Sequence, residues 1–192
     1  MEQYHLYIVL TRTNSIVSKI IRLVKDDEYT HASISLDKEL NRMYSFGRKY
    51  TYFPFIGRFK HEYIYQGLYK RCKTLPGVII ELEVTKEQYN RAELLLDQFI
   101  SNSNLYKYNY MGFVYNLLNL STRDEYRYLC SEFVYYIINE LGIVDLKKSP
   151  NLVRPQNLLY INGKIIYKGD LKLIKSFTDY RNGYNPADSI LL

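Results

Sequence analysis

Apolar and polar positions alternate over Tyr4-His-Leu-Tyr-Ile-Val-Leu10, with Leu6, Ile8 and Leu10 on one face and His5, Tyr7 and Val9 on the other. That period of two predicts a strand. Over residues about 15–25 the period changes: Ile16, Val17, Ile20, Ile21 and Val24 recur at helical spacing, with Thr13, Asn14 or Ser15 as the candidate N-cap. A second strand is predicted over His31 to Leu36, with Ala32, Ile34 and Leu36 facing one way and His31, Ser33 and Ser35 the other. A turn at Asp37–Asn41 leads to a third strand from Arg42 to Phe46, ending at Gly47. Pro54, Gly57 and Gly67 then predict a long loop or short irregular pieces.

Gly77-Val-Ile-Ile-Glu-Leu-Glu-Val84 reads as a strand, and Thr85-Lys-Glu-Gln88 as the capping box of a helix whose inner face is Tyr89, Ala92, Leu96 and Phe99. An amphipathic helix is expected over about 110–119, and another from Cys130 to Gly142, a favourable residue just past a helix end. Pro150 and Pro155 predict an extended connection, and Asn162-Gly163 within Leu158–Tyr167 a tight hairpin. Helices and mainly antiparallel strands mix without regular βαβ alternation, which makes the expected class α+β. One domain is expected over residues 1–176, with residues 48–73 as a basic aromatic loop insertion and 177–192 as a C-terminal tail.

The net charge of +6 is concentrated. Between Arg48 and Lys73 stand seven Lys and Arg residues against one acid, Glu62, interleaved with Tyr and Phe. Such a segment suits an anionic partner, a carboxylate, phosphate, lipid head group or nucleic acid, and it equally suits a solvated loop with aromatic feet in the core. No apolar run approaches the roughly 20 residues of a spanning helix, and the amino terminus has no secretory pattern. A cytoplasmic chain is therefore expected, unless exported by another route. Its two cysteines, Cys72 and Cys130, are expected to be reduced.

Cys130 opens its helix in Tyr128-Leu-Cys-Ser-Glu-Phe-Val134. A thiol in the first turn of a helix meets the positive end of the helix dipole and open backbone N–H groups, which favour the nucleophilic thiolate. Cys130, Val134, Ile137 and Leu141 share one stripe, so the thiol points toward whatever sheet the helix covers. A buried, inert cysteine would show the same stripe. Of the three histidines, His5 sits on an alternating strand and His61 among charged neighbours, whereas His31 has small polar neighbours on a short strand. His31 is thus the candidate base for Cys130. There is no CxxC, HExxH, GxSxG or glycine-rich nucleotide pattern, so no metal, serine triad or organic cofactor is implied.

A histidine strand first and a cysteine helix later, in these local settings, resembles the circularly permuted papain-like fold of the YiiX-type branch of the NlpC-like amidases and peptidases. The residues that carry the resemblance are Tyr4–Leu10, Thr30-His-Ala-Ser-Ile-Ser-Leu-Asp37, Met43-Tyr-Ser-Phe-Gly-Arg-Lys49 and Tyr128–Val134. It implies an antiparallel sheet packed against helices, Cys130 as nucleophile and His31 as base, and an oxyanion held by backbone N–H groups at the helix start. The family's third residue, a polar group on the strand after the histidine, corresponds to Ser45, with Glu62 an alternative if its loop folds over the site. Arg48, Arg58 and Glu62 are expected to contact an anionic substrate.

The resemblance favours amide bonds in cell-wall-type peptides. A lipid-ester hydrolase or acyltransferase would use the same couple, and a silent binding module would use the basic loop on a membrane surface or, less in keeping with the pattern, on nucleic acid.

Overall fold

Strand β1 (Tyr4–Thr11) is buried on both faces from Leu6 onward, because it lies inside the sheet with a layer of side chains on either side. β2 (His31–Ser35) and β5 (Pro76–Val84) flank it, both antiparallel. The computed structural model describes residues 3–13, 25–48, 57–109, 112, 115, 118, 120–121 and 124–174. Among them, β3 (Met43–Arg48), β4 (Gly57–Glu62), β6 (Lys107–Tyr108), β7 (Arg127–Tyr128) and β8 (Lys164–Asp170) complete one eight-stranded sheet, ordered β7-β6-β4-β3-β2-β1-β5-β8. All neighbours pair antiparallel except β6 and β7. The class is α+β, as the mixture of periods implies.

Strand parity divides the core. Leu6, Ile8 and Leu10, Ala32 and Ile34, Phe46 and Phe59, and Val78, Ile80 and Leu82 form one face, covered by α2 (Lys86–Ser101) and α3 (Cys130–Glu140). Tyr7, Val9, Met43, Ile79, Tyr69 and Tyr167 line the other. In α2 the capping box forms as the sequence implies, with Gln88 N–H donating to Thr85 Oγ1 at 3.1 Å and Thr85 N–H to Gln88 Oε1 at 2.9 Å. Helix α3 buries Phe133, Val134, Ile137 and Ile138. It ends before Gly142, whose φ of 66° is the left-handed conformation that glycine tolerates best.

Three local expectations are corrected. Residues 57–62, read as loop, form β4: Gly57 and Phe59 are buried and Arg58 exposed, and Phe59 packs on Phe46, Phe99 and Phe133. The next stretch holds the short helix α1 (Gly67–Lys70). Asn162-Gly163 joins no hairpin. The residues before it fold as α4 (Pro155–Leu158), and β8 pairs with β5. Pro150 and Pro155, read as marking an extended segment, instead open a 3-10 turn and α4, positions where a missing N–H costs nothing. The helices expected over 15–25 and 110–119 fall largely outside the described residues, as do residues 49–56 and the tail.

Candidate active site

Two elements bring Cys130 and His31 together. Leu129 is the N-cap of α3, so Cys130 takes the first helical position; its N–H and that of Ser131 have no partner within the helix. The helix start is fixed by Glu132, whose Oε2 accepts from Leu129 N–H at 3.0 Å, and by Ser131 Oγ, which donates to the Val153 carbonyl at 2.6 Å. His31 is the first residue of β2. Cys130, at the start of the helix, lies close enough to help raise the pKa of the His31 imidazole. The helix packs on β2, on the 3-10 turn Pro150–Leu152 and on β3, and His31 stands at the end of β2 as its first residue.

The other partner of the imidazole is Glu62, whose Oε2 lies 3.0 Å from His31 Nε2. With Nε2 held there, Nδ1 is the nitrogen left to face the thiol. Glu62 is almost wholly buried, yet amply compensated. Ser33 Oγ donates to its Oε2 at 2.6 Å, Tyr69 Oη donates to the same oxygen at 3.2 Å, and Lys60 Nζ stands 2.9 Å from Oε1. Thr11 Oγ1 lies 3.4 Å from Tyr69 Oη, extending the network. A carboxylate buried with this many donors stays ionised.

The electrostatics follow from that pair. Burial by itself would push the His31 pKa down, but the charge of Glu62, then that of Cys130, and hydrogen bonds to both outweigh it and raise it well above the ordinary 6.5. Burial pulls the Glu62 carboxyl upward, whereas His31, Lys60 and Ser33 hold it far below the usual carboxylate range. The imidazolium is therefore the favoured form of His31. The side chain of His31 is 17 % exposed, which leaves one edge of the couple open to a reactant.

Glycine at position 47 makes room for this arrangement. A Cβ there would stand 2.9 Å from Lys60 Cε and 3.5 Å from Glu62 Oε1, so the ion pair lies over a site without a side chain.

Cys130 and His31 meet. Ser45, expected to orient the imidazole, gives its hydroxyl to the Ala32 carbonyl at 2.6 Å, and Glu62 is the side chain that holds His31. The regular β2/β3 pairing comprises only Ile34 with Tyr44 and Ser35 with Met43, so Ser45 bridges the strands where that ladder ends, one residue from His31. Glu62, assigned to substrate contact, is buried and committed to the imidazole.

Arg58 is exposed on β4, on the strand face that also carries Lys60 and Glu62. Arg48 ends β3 opposite Gly57, and its side chain lies outside the described residues. His61 is exposed and hydrogen-bonded to the Asn41 carbonyl and Tyr63, away from the couple. Cys72 donates its thiol to the Leu68 carbonyl at 3.6 Å. Both cysteines are free thiols.

Sequence reasoning missed Ser33, Lys60 and Tyr69. The first two carried a signal, since Ser33 shares the strand face of His31 and Lys60 that of Glu62, two residues away in each case. Tyr69, on α1, carried none. Among the described residues no three His, Cys, Asp or Glu side chains gather into a set that would ligate a metal ion, and no helix is long and apolar enough to cross a membrane. No family model matches the chain, and no curated protein matches it.

Proposed function

We propose that the chain is a thiol-dependent hydrolase that cleaves amide bonds through an acyl-enzyme on Cys130. The observation that carries this reading is the pairing of His31 with the buried Glu62, with Cys130 close enough to act on the same imidazole. A histidine merely filling a core has no need of a compensated carboxylate behind it.

In the reaction, His31 holds the proton of Cys130 and the thiolate sulfur attacks the substrate carbonyl carbon. The carbonyl oxygen takes up the electron pair and is held by backbone N–H groups at the start of α3, with Cys130 N–H the nearest candidate. Collapse re-forms the carbonyl and expels the amine, which receives the proton from His31. A thioester on Cys130 remains. Water, deprotonated by His31, attacks it, and the acid departs as the thiol is reprotonated. Glu62 stabilises the imidazolium of both half-reactions and fixes the ring so that Nδ1 meets sulfur and substrate.

The order of a histidine strand before a cysteine helix that packs on its sheet supports the permuted papain-like fold of the NlpC type as the architecture, and with it cell-wall-type peptides as the substrate class. Glu62 takes the family's third role, in place of Ser45. A lipid-ester hydrolase or acyltransferase would share every step up to the thioester. The test is to incubate the protein with peptide amides and, separately, fatty-acyl esters, and to look for an acyl adduct on Cys130 by mass spectrometry. An adduct from peptide amides, absent in Cys130→Ala, is expected. An adduct from the esters alone would move the reading to lipids, and no adduct from either panel would end it.

A further inference from the structure

The register of the sheet lines up three cations beside the couple. Gly47 on β3 pairs with Arg58 on β4, Arg58 with Lys107 on β6, and Lys107 with Arg127 on β7. Directly opposed residues project from the same face, about 5 Å apart from strand to strand. The face is that of the active site, since a Cβ on Gly47 would point at the Lys60–Glu62 pair that holds His31. Arg127, at the far end of the row, is three residues from Cys130. The row thus starts beside His31 and ends on the strand that feeds the nucleophile's helix.

Like charges placed directly opposite each other destabilise a sheet, and here two such contacts follow in succession. Compensation reaches only one end, where Asp124 stands 3.3 Å from Arg127. Among the described residues no carboxylate lies within ion-pair distance of Arg58 or Lys107, and both side chains are exposed. Lys60, the other cation on this face, is already neutralised by Glu62. Two unpaired cations side by side leave a local charge of about +2, which a dianion cancels and a monoanion does not.

We infer that Arg58 and Lys107 form a binding site for a phosphate-class dianion carried by the substrate that Cys130 attacks. Arg58 presents a planar fork to two phosphate oxygens, and Lys107 meets a third as a compact charge. Arg127, partly neutralised, flanks the site. This assignment rests on the reading of Cys130 and His31 as the reacting couple, and it adds to it the chemical class of the group that anchors the substrate.

The test is calorimetric titration of the full chain with inorganic phosphate at low ionic strength, in the parent protein, in Arg58→Gln, in Lys107→Gln and in the double variant. Binding that weakens at least about fivefold in each single variant and vanishes in the double one is expected, with Lys148→Gln, an exposed cation in the connection after α3, matching the parent. A second readout needs no ligand: in phosphate-free buffer Lys107→Gln melts about 1–3 °C above the parent, because it removes the repulsion on both sides of β6. Parent protein that binds no phosphate, or a double variant that binds it equally well, would overturn the inference.

Iodoacetamide, a neutral reagent, reads the thiol separately. Reactive Cys130 with no phosphate binding overturns the dianion site alone, and phosphate binding with inert Cys130 supports the site while overturning the catalytic reading.

Discussion

Replacing Glu62 by Gln keeps the shape of the side chain and removes the larger of the two charges that raise the His31 pKa. In the parent protein His31 is raised from 6.5 to about 10, with burial opposing the shift and the charges of Glu62 and then Cys130 producing it. Taken whole, that difference corresponds to an upper bound of about 5 kcal/mol. Removing one partner of a buried ion pair costs about 3–5 kcal/mol, a comparable figure.

The sign follows from linkage. A histidine whose folded pKa exceeds its unfolded one contributes stability that is fully present below pH 6.5 and is lost as pH rises through about 10. Urea unfolding at intervals from pH 6 to 10 should therefore show the parent more stable than Glu62→Gln by several kcal/mol at the low end, with the two curves drawing together toward pH 10. Acyl transfer at neutral pH should fall by about 10²-fold to 10⁴-fold, the range associated with a positioned acid–base group. Parallel stability curves, or unchanged turnover, would refute the assignment of Glu62 as the group that charges and orients His31.

Other perturbations separate scaffold from chemistry. Ser45→Ala should cost about 1–3 kcal/mol, because the buried Ala32 carbonyl loses its donor. It should shift the pH profile of Cys130 alkylation less than Glu62→Gln does, and an equal shift would return Ser45 to the third position. Glu132 is raised from 4.5 to about 7 by burial, against hydrogen bonds from Leu129 and Asn109. Being an acid with a raised folded pKa, it should make the parent lose stability as pH rises from 4.5 to 7, by up to about 3 kcal/mol. Glu132→Gln should lack that decline in unfolding titrations, and a decline that persists would contradict it. Gly142→Ala should lower stability by about 1 kcal/mol, since φ is 66° there, measured as a shift in melting temperature.

The strands and helices with long, regular periods were legible in the sequence, and so was the proposed Cys130–His31 couple, because each residue carries its setting locally: Cys130 a helix start, His31 a polar strand face. Glu62 was seen but assigned another task. Its strand has a buried carboxylate, a lysine and an arginine on the site face, so the alternation that marks β4 rests almost entirely on Phe59. With β4 read as a loop, nothing placed Glu62 beside β3, and Ser45, on a recognisable strand, looked better situated. The paired strands β6 and β7 are two residues each, too short for any period to declare them. The row of cations they complete is a property of register, which only long-range pairing fixes. The Asn162-Gly163 signal misled for a different reason: the residues before it, opened by Pro155 at a helix start, had a helical alternative.

The central claim is that His31 governs the reactivity of Cys130. The most direct measurement is the rate of iodoacetamide alkylation at Cys130 against pH, located by mass spectrometry, in the parent chain and in His31→Ala, with Cys72 as the internal reference. The account predicts fast modification of Cys130 well below pH 8, where an ordinary thiol of pKa about 8.5 is mostly protonated, and loss of that reactivity in His31→Ala. A Cys130 that stays inert, or that reacts identically without the histidine, would contradict it.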